Sequence, residues 1–122
     1  LLEVGLGGRY DAVNVFDADL VLLPSISRDH QEFLGPRYDL ILEEKLGVLR
    51  PHKTLISYLE LDYLRERVNK HVQQKNSKLI DLEALKKFRG YEFSNRNYLL
   101  AAAAKLELES RYSEEILLKS DF

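Results

Sequence analysis

The 122-residue chain contains no cysteine, so it has neither a disulfide framework nor a thiolate zinc site, a composition suited to a reducing compartment. It contains no methionine either and starts directly on apolar Leu1-Leu2, as a strand cut partway along would; an internal piece of a longer protein is the expectation. Long apolar runs are missing. Stretches such as Leu20-Val21-Leu22-Leu23 fall far short of the roughly 20 residues that cross a bilayer, and no cationic segment leads into an apolar secretory core. Charge of one sign is missing too: 18 basic against 20 acidic residues leave a formal net charge of -2 and pI near 5.9. No global field therefore draws the chain to nucleic acid or to an anionic membrane, neither is expected as a partner, and a bound polyanion must be held locally. These features together lead us to expect a cytoplasmic location. Glycine (6) and proline (3) are too few for a flexible linker, and no repeat or low-complexity tract is present. What remains is a chain with 45% hydrophobic residues, enough for one small core, since about 100–150 residues is the commonest domain size.

Short apolar runs alternate with helical patterns. Leu1 to Val4 reads as a buried strand that runs into the glycines Gly5, Gly7 and Gly8. Leu20 to Leu23, Thr54 to Tyr58 and, more weakly, Lys78 to Asp81 are further strands, and their continuous apolarity is that of strands covered on both faces. Tyr38, Ile41, Leu42 and Lys45-Leu46 recur at helical spacing with Glu43 and Glu44 on the other side, and Gly47 stands where a helix would stop. A longer helix is expected from about Asp62 to Gln74 with Leu64, Val68 and Val72 facing inward at i, i+4 and i+8. Its Arg65, Arg67 and Lys70 read as a solvated face paired with Glu66. Two final helices are expected, from Asn95 to about Ser110 and from Ser113 to Lys119, the second capped by Ser113. Strands alternating with helices imply an α/β fold with a mainly parallel sheet.

On chemistry alone the loops stay ambiguous. Glu3, a carboxylate near the end of a buried strand ahead of a glycine-rich loop, stands where open α/β sheets bind ligands, which favours a metal or phosphate role over a carboxylate bonded to its own loop. Gly7-Gly8 serves either close ligand approach or simple turn punctuation. His30, after the second strand, is a solvated loop histidine or, because loops after parallel strands open on one edge, a metal partner of Glu3. Asp11 has an alternative as an Asx-turn residue, and Lys45 as a solvated helix lysine. Magnesium in phosphate chemistry takes one or two carboxylates and keeps several waters, while imidazole also suits manganese. The phosphate-cradling pattern G-x-x-x-x-G-K-[ST] is absent from the chain.

Glu3 to Asn14 resembles the E-V-G-L-G-G-R-x-D-A-[TV]-N segment of the folylpolyglutamate and dihydrofolate synthases, a family of the Mur-ligase fold. Ser25 to Gly35 is similar to that family's S-I-G-x-D-H-x-x-x-L-G, and Glu44 to Pro51 to its E-K-A-G-[IV]-x-[KR]-P. The three segments come in family order and at matching separations. The resemblance implies that residues 1–122 are part of a central ATP-binding domain without its P-loop, with no complete second domain. It further implies that Glu3 and His30 hold divalent cations on the ATP phosphates, that Lys45 is a catalytic lysine carried as an anionic carbamate, and that Tyr10, Asp11 and Ala12 contact the pterin. Ser94 to Ala101 is similar to the adenine-side helix H-Q-x-x-N-A-x-x-A, which makes Asn97 the adenine contact, although neither His nor Gln precedes it in the family manner. Ser27 and Leu46 replace a Gly and an Ala of the pattern and are expected to add bulk beside the metal site, and the stretch from Tyr58 to Phe93 departs from it.

The activity so implied is ATP- and Mg²⁺-dependent addition of L-glutamate to dihydropteroate or a folate through an acyl phosphate, with the isolated piece inactive. Two rivals are a non-catalytic α/β module that binds a nucleotide or partner, and another Mur-fold ligase acting on a cell-wall precursor. The D-A-[TV]-N continuation after Arg9 argues against the latter.

Overall fold

The structure, a computed structural model, describes residues 8–9, 17–26, 37–89 and 96–119. Three strands, β1 (Leu20–Leu23), β2 (Thr54–Ser57) and β3 (Lys78–Asp81), form a parallel sheet in the order β1-β2-β3. Helix α1 (Tyr38–Leu46) connects β1 to β2, and α2 (Asp62–Gln74) connects β2 to β3. Helices α3 (Leu82–Arg89) and α4 (Arg96–Lys119) follow. The α/β, mainly parallel architecture expected from the sequence is therefore present, while the strand expected at Leu1–Val4 lies outside the described residues.

The pleat divides the apolar residues between two layers. Val21, Leu55 and Leu79 are in register, as are Leu22, Ile56 and Ile80, and alternate positions along a strand face opposite sides. One face buries Leu23 and Leu55 against Leu42 and Leu46 of α1 and Leu64, Val68 and Val72 of α2. The other buries Ile56 with Tyr58, Leu82 and Leu100, and Leu99, Ala103 and Ala104 of α4 pack against it. All four residues of β2 are buried, which is why this strand reads as apolar without alternation.

Helix α2 closes in a Schellman arrangement that a glycine usually supplies. Asn76 takes φ 50°, the N–H of Ser77 donates to the Val72 carbonyl at 3.0 Å and that of Asn76 to the Gln73 carbonyl at 3.1 Å. Asparagine tolerates this left-handed conformation better than other L residues do.

Charge, not apolar contact alone, fixes α4 lengthwise. Glu107 accepts from Lys78 Nζ at 2.9 and 3.1 Å and from Arg111 Nε at 3.3 Å, and Arg111 also donates to the Thr54 hydroxyl and to the Asp19 carbonyl. Thr54 and Lys78 begin β2 and β3, and Asp19 precedes β1. The middle of α4 thus sits at the starting edge of the sheet, and its earlier Leu100 packs near the finishing edge beside Tyr58. The Lys78 hydrogen bond leads in holding the Glu107 carboxyl below its usual value; burial opposes it, and the Lys78 charge and Arg111 add to the lowering.

Three expectations need correction. The two final helices are one helix of 24 residues, Arg96–Lys119; no glycine or proline interrupts it, and the Glu107–Arg111 anchor lies near the expected break. Helix α3 was not expected: the Asp81 carboxylate ends β3 and caps the next helix, accepting from the N–H groups of Glu83 at 3.0 Å and Ala84 at 3.2 Å. Arg65 is not a solvated partner of Glu66 but a cross-link, donating Nε and Nη2 to Asp81 at 3.0 and 2.8 Å. Arg67 likewise reaches Asp39 at 3.5 Å and Glu43 at 3.6 Å on α1.

Truncation of Ile56, fully buried at 0% exposure, should cost about 2–5 kcal/mol in urea unfolding of Ile56→Ala. Leu22→Ala on the same face, where the side chain is 38% exposed, should cost less than half as much.

Candidate functional site

A parallel sheet gathers its strand ends, and here Leu23, Ser57 and Asp81 stand in register along one edge. The first turn of α4, which carries exposed Asn97, lies toward this edge. Asp81 is fully engaged there: one carboxylate oxygen caps α3 and the other takes the Arg65 fork. The Asp81 bond leads in raising the Arg65 pKa, against burial and with the charges of Asp81 and Asp62 in support.

A second feature involves the glycine-rich loop. Gly8 adopts φ +146°, and a Cβ at this position would fall 2.5 Å from the Glu44 carbonyl oxygen and 3.0 Å from Lys45 Cα. The Arg9 N–H donates to the same carbonyl at 2.8 Å. Gly47 answers from the other side, since a Cβ there would fall 2.6 Å from Arg9 Cβ and 2.9 Å from Arg9 Cα. The Arg9 guanidinium and Glu44 carboxylate are 3.9 Å apart, a largely solvated pair that contributes at most about 1 kcal/mol. Close backbone packing, permitted by two missing Cβ atoms, does the docking. Half-buried Lys45, in the last turn of α1, lies within this contact.

Two expectations change here. Gly47 does end the helix, but at φ -61°, a conformation open to any residue; the Arg9 approach is what requires glycine. Leu46, expected beside the metal site, has its side chain buried in the core between α1 and α2. Arg9, Glu44 and Gly47 were not singled out as site residues, and only their membership in the first and third segments pointed to them.

His71 on α2 supports the same helix end. Burial above all lowers its pKa; the positive charges of Lys75 and Arg9 add to the lowering, while a hydrogen bond to the Leu46 carbonyl and the Glu43 charge oppose it. Its Nε2 is buried without a hydrogen-bond partner among the described residues. A proton added there would meet two cations and lose solvation.

Glu3, His30, Tyr10, Asp11 and Ala12 lie outside the described residues, as does Ser27. Among the described residues no group of three or more His, Asp or Glu is placed to hold a metal. Of the two expected site residues that are described, Lys45 is brought against the glycine loop, whereas Asn97 belongs to a helix on the opposite face of the sheet. Among the described residues no helix is long and apolar enough to cross a membrane.

Over 56 residues, 46% of this chain and 13% of the relative, the sequence is 50% identical to the dihydrofolate synthase/folylpolyglutamate synthase of Escherichia coli K12. The chain is homologous to part of the dihydrofolate synthase/folylpolyglutamate synthases. Solved structures of these synthases share the fold. An FPGS-AMPPCP-folate complex superposes with TM-score 0.62 at 26% identity, over 66% of this chain and 20% of that one. E. coli FolC in complex with ADP gives 0.57 at 41% identity, over 66% and 19%. A bifunctional folylpolyglutamate synthase/dihydrofolate synthase with Mn, AMPPNP and L-glutamate bound gives 0.55 at 34% identity, over the same shares. No protein-family model matches the chain. The chain spans only about 13% of the length of the E. coli synthase.

The His71 environment sets a pH dependence. Its folded pKa lies below the ordinary 6.5, so the unfolded chain takes up the proton first, and stability is full above about pH 6.5 and falls as pH drops from there toward the folded value. Urea unfolding at pH 7.5 and 5.5 should show lower stability at 5.5, and His71→Gln should lose most of that difference; an equal difference in both proteins would contradict the assignment.

Proposed function

We propose that residues 1–122 are part of the central ATP-binding domain of a Mur-type ligase, with no complete second domain. The complete protein uses ATP and a divalent cation to join L-glutamate to dihydropteroate or a folate. The observation that carries this reading is the 50% identity to the E. coli synthase over 56 residues, and the three motifs of the chain agree with it. The complexes of the neighbours with nucleotide, manganese, folate and L-glutamate support it. Another Mur-fold ligase does not account for the synthase identity.

In this reading ATP phosphorylates the pteroate or folate carboxylate, and the glutamate amine then displaces phosphate to form the amide. Glu3 and His30 would hold the two divalent cations, and Lys45, its amine adding CO₂ with loss of a proton to give a carbamate, would offer a further anionic oxygen to the second. One carboxylate, one imidazole and one carbamate form a donor set suited to Mg²⁺ or Mn²⁺ that keeps several waters. The docked loop fits this assignment, because Gly8, five residues after Glu3, packs on the backbone of Lys45. A cation held there would supply charge neutralisation for the transferred phosphoryl group. Tyr10, Asp11 and Ala12 contact the pterin, and Asn97 the adenine. Location in the cytoplasm belongs to the same reading, and a chain without cysteine suits it.

The phosphate-cradling motif is absent from these residues, so the 122-residue chain alone should not ligate glutamate. In the complete protein Glu3→Ala and His30→Ala should each lower metal-dependent ligation by about 100-fold or more, measured as glutamate incorporation at saturating ATP. Near-normal rates in both variants would favour the non-catalytic nucleotide- or partner-binding module.

A further inference from the structure

The contact between the glycine loop and α1 is reciprocal. Gly8 is the socket for the helix, since its missing Cβ leaves room for the Glu44 carbonyl and the Lys45 Cα. Gly47 is the socket for the loop, since its missing Cβ leaves room for the Cα, Cβ and Cγ of Arg9. Between them the Glu44 carbonyl accepts twice, from the helix's own Gly47 N–H at 3.3 Å and from the Arg9 N–H at 2.8 Å. Carbonyls in the last turn of a helix ordinarily lack a partner from the next turn, and here the loop amide supplies one. Loop and helix end cannot slide past each other without breaking that bond and driving main chain into main chain.

Lys45 is one residue from the shared carbonyl, and its Cα forms part of the socket wall. We propose that Arg9 and Gly47 are positioning residues, which through this interlock fix the origin of the Lys45 side chain relative to the loop that follows Glu3. The inference rests on the ligase reading above. It adds that metal-dependent catalysis requires the interlock closed, although none of Gly8, Arg9 or Gly47 is assigned a bond to metal or substrate. A purely structural role would lower stability without altering how activity depends on the cation.

The test uses the complete ligase and three variants, with Mg²⁺ titrations, glutamate kinetics and amide exchange at residue 9. Gly47→Ala should speed exchange of the Arg9 amide at least tenfold, raise the half-saturating Mg²⁺ concentration about tenfold, and lower kcat by up to about 100-fold, the scale of an ångström-level misplacement, with KM for glutamate unchanged. Arg9→Gly removes the Cβ and Cγ that the new methyl would strike at 2.6 and 3.1 Å and leaves only the Cα at 2.9 Å, so Gly47→Ala/Arg9→Gly should recover part of the lost Mg²⁺ affinity. Gly8→Ala strikes only main chain of Glu44 and Lys45, none of it removed by Arg9→Gly, which should not rescue it. An unchanged Mg²⁺ dependence in Gly47→Ala, or a double variant no better than the single, overturns the inference. If Gly47→Ala does not fold, recovery of folding and Mg²⁺ dependence in the double variant supports it, and failure to recover overturns it. Absence of ATP-dependent glutamate incorporation in the wild type would overturn the ligase reading itself, a result distinct from an active wild type with an indifferent Gly47→Ala.

Discussion

The two-sided burial of β2 is the constraint on which the other elements depend. A strand whose four residues are all buried, and which pairs on both edges, needs an apolar layer over each face and a parallel neighbour at each side. Leu55 faces the layer built by α1 and α2, and Ile56 faces that of α4. Each layer then fixes one part of the candidate site. The first layer holds α1 so that its last turn meets the glycine loop, and the second directs the first turn of α4 toward the finishing edge of the strands.

Polar interactions refine this arrangement without carrying it. The Lys78–Glu107–Arg111 group sets the lengthwise position of α4, and the Asp81–Arg65 pair joins the end of β3 to α2. Both involve carboxylates satisfied by more than one donor, and such groups are costly to break one partner at a time. His71 is the opposite case: a ring with a buried nitrogen that has no hydrogen-bond partner among the described residues, under the positive charges of Lys75 and Arg9 and bonded to the helix end that meets the loop. Its place makes proton uptake a burden on the folded chain.

Features whose causes are local were legible in the sequence. The i, i+4, i+8 spacing of Leu64, Val68 and Val72 gave α2 and its buried face, and the continuous apolarity of Thr54 to Tyr58 gave the central strand. Features with distant causes were not. Arg65 looked like a surface arginine because its partner, Asp81, is 16 residues away, and the cap on α3 was hidden because the same Asp81 also ends a strand. Gly47 was correctly placed at a helix end but for an incomplete reason, since the need for glycine comes from Arg9, brought across from another segment. The three motifs pointed to the family; that the first and third of them touch is visible only in the fold.

Similarity to part of a synthase and a loop seated on the Lys45 helix are what support the proposed ATP-dependent glutamate ligation. The direct measurement is incorporation of labelled L-glutamate into dihydropteroate or a folate by the complete protein, with ATP and divalent cation each present and withheld. The account predicts a glutamylated product only when both are present. Incorporation without ATP, or none under any of these conditions, would contradict it.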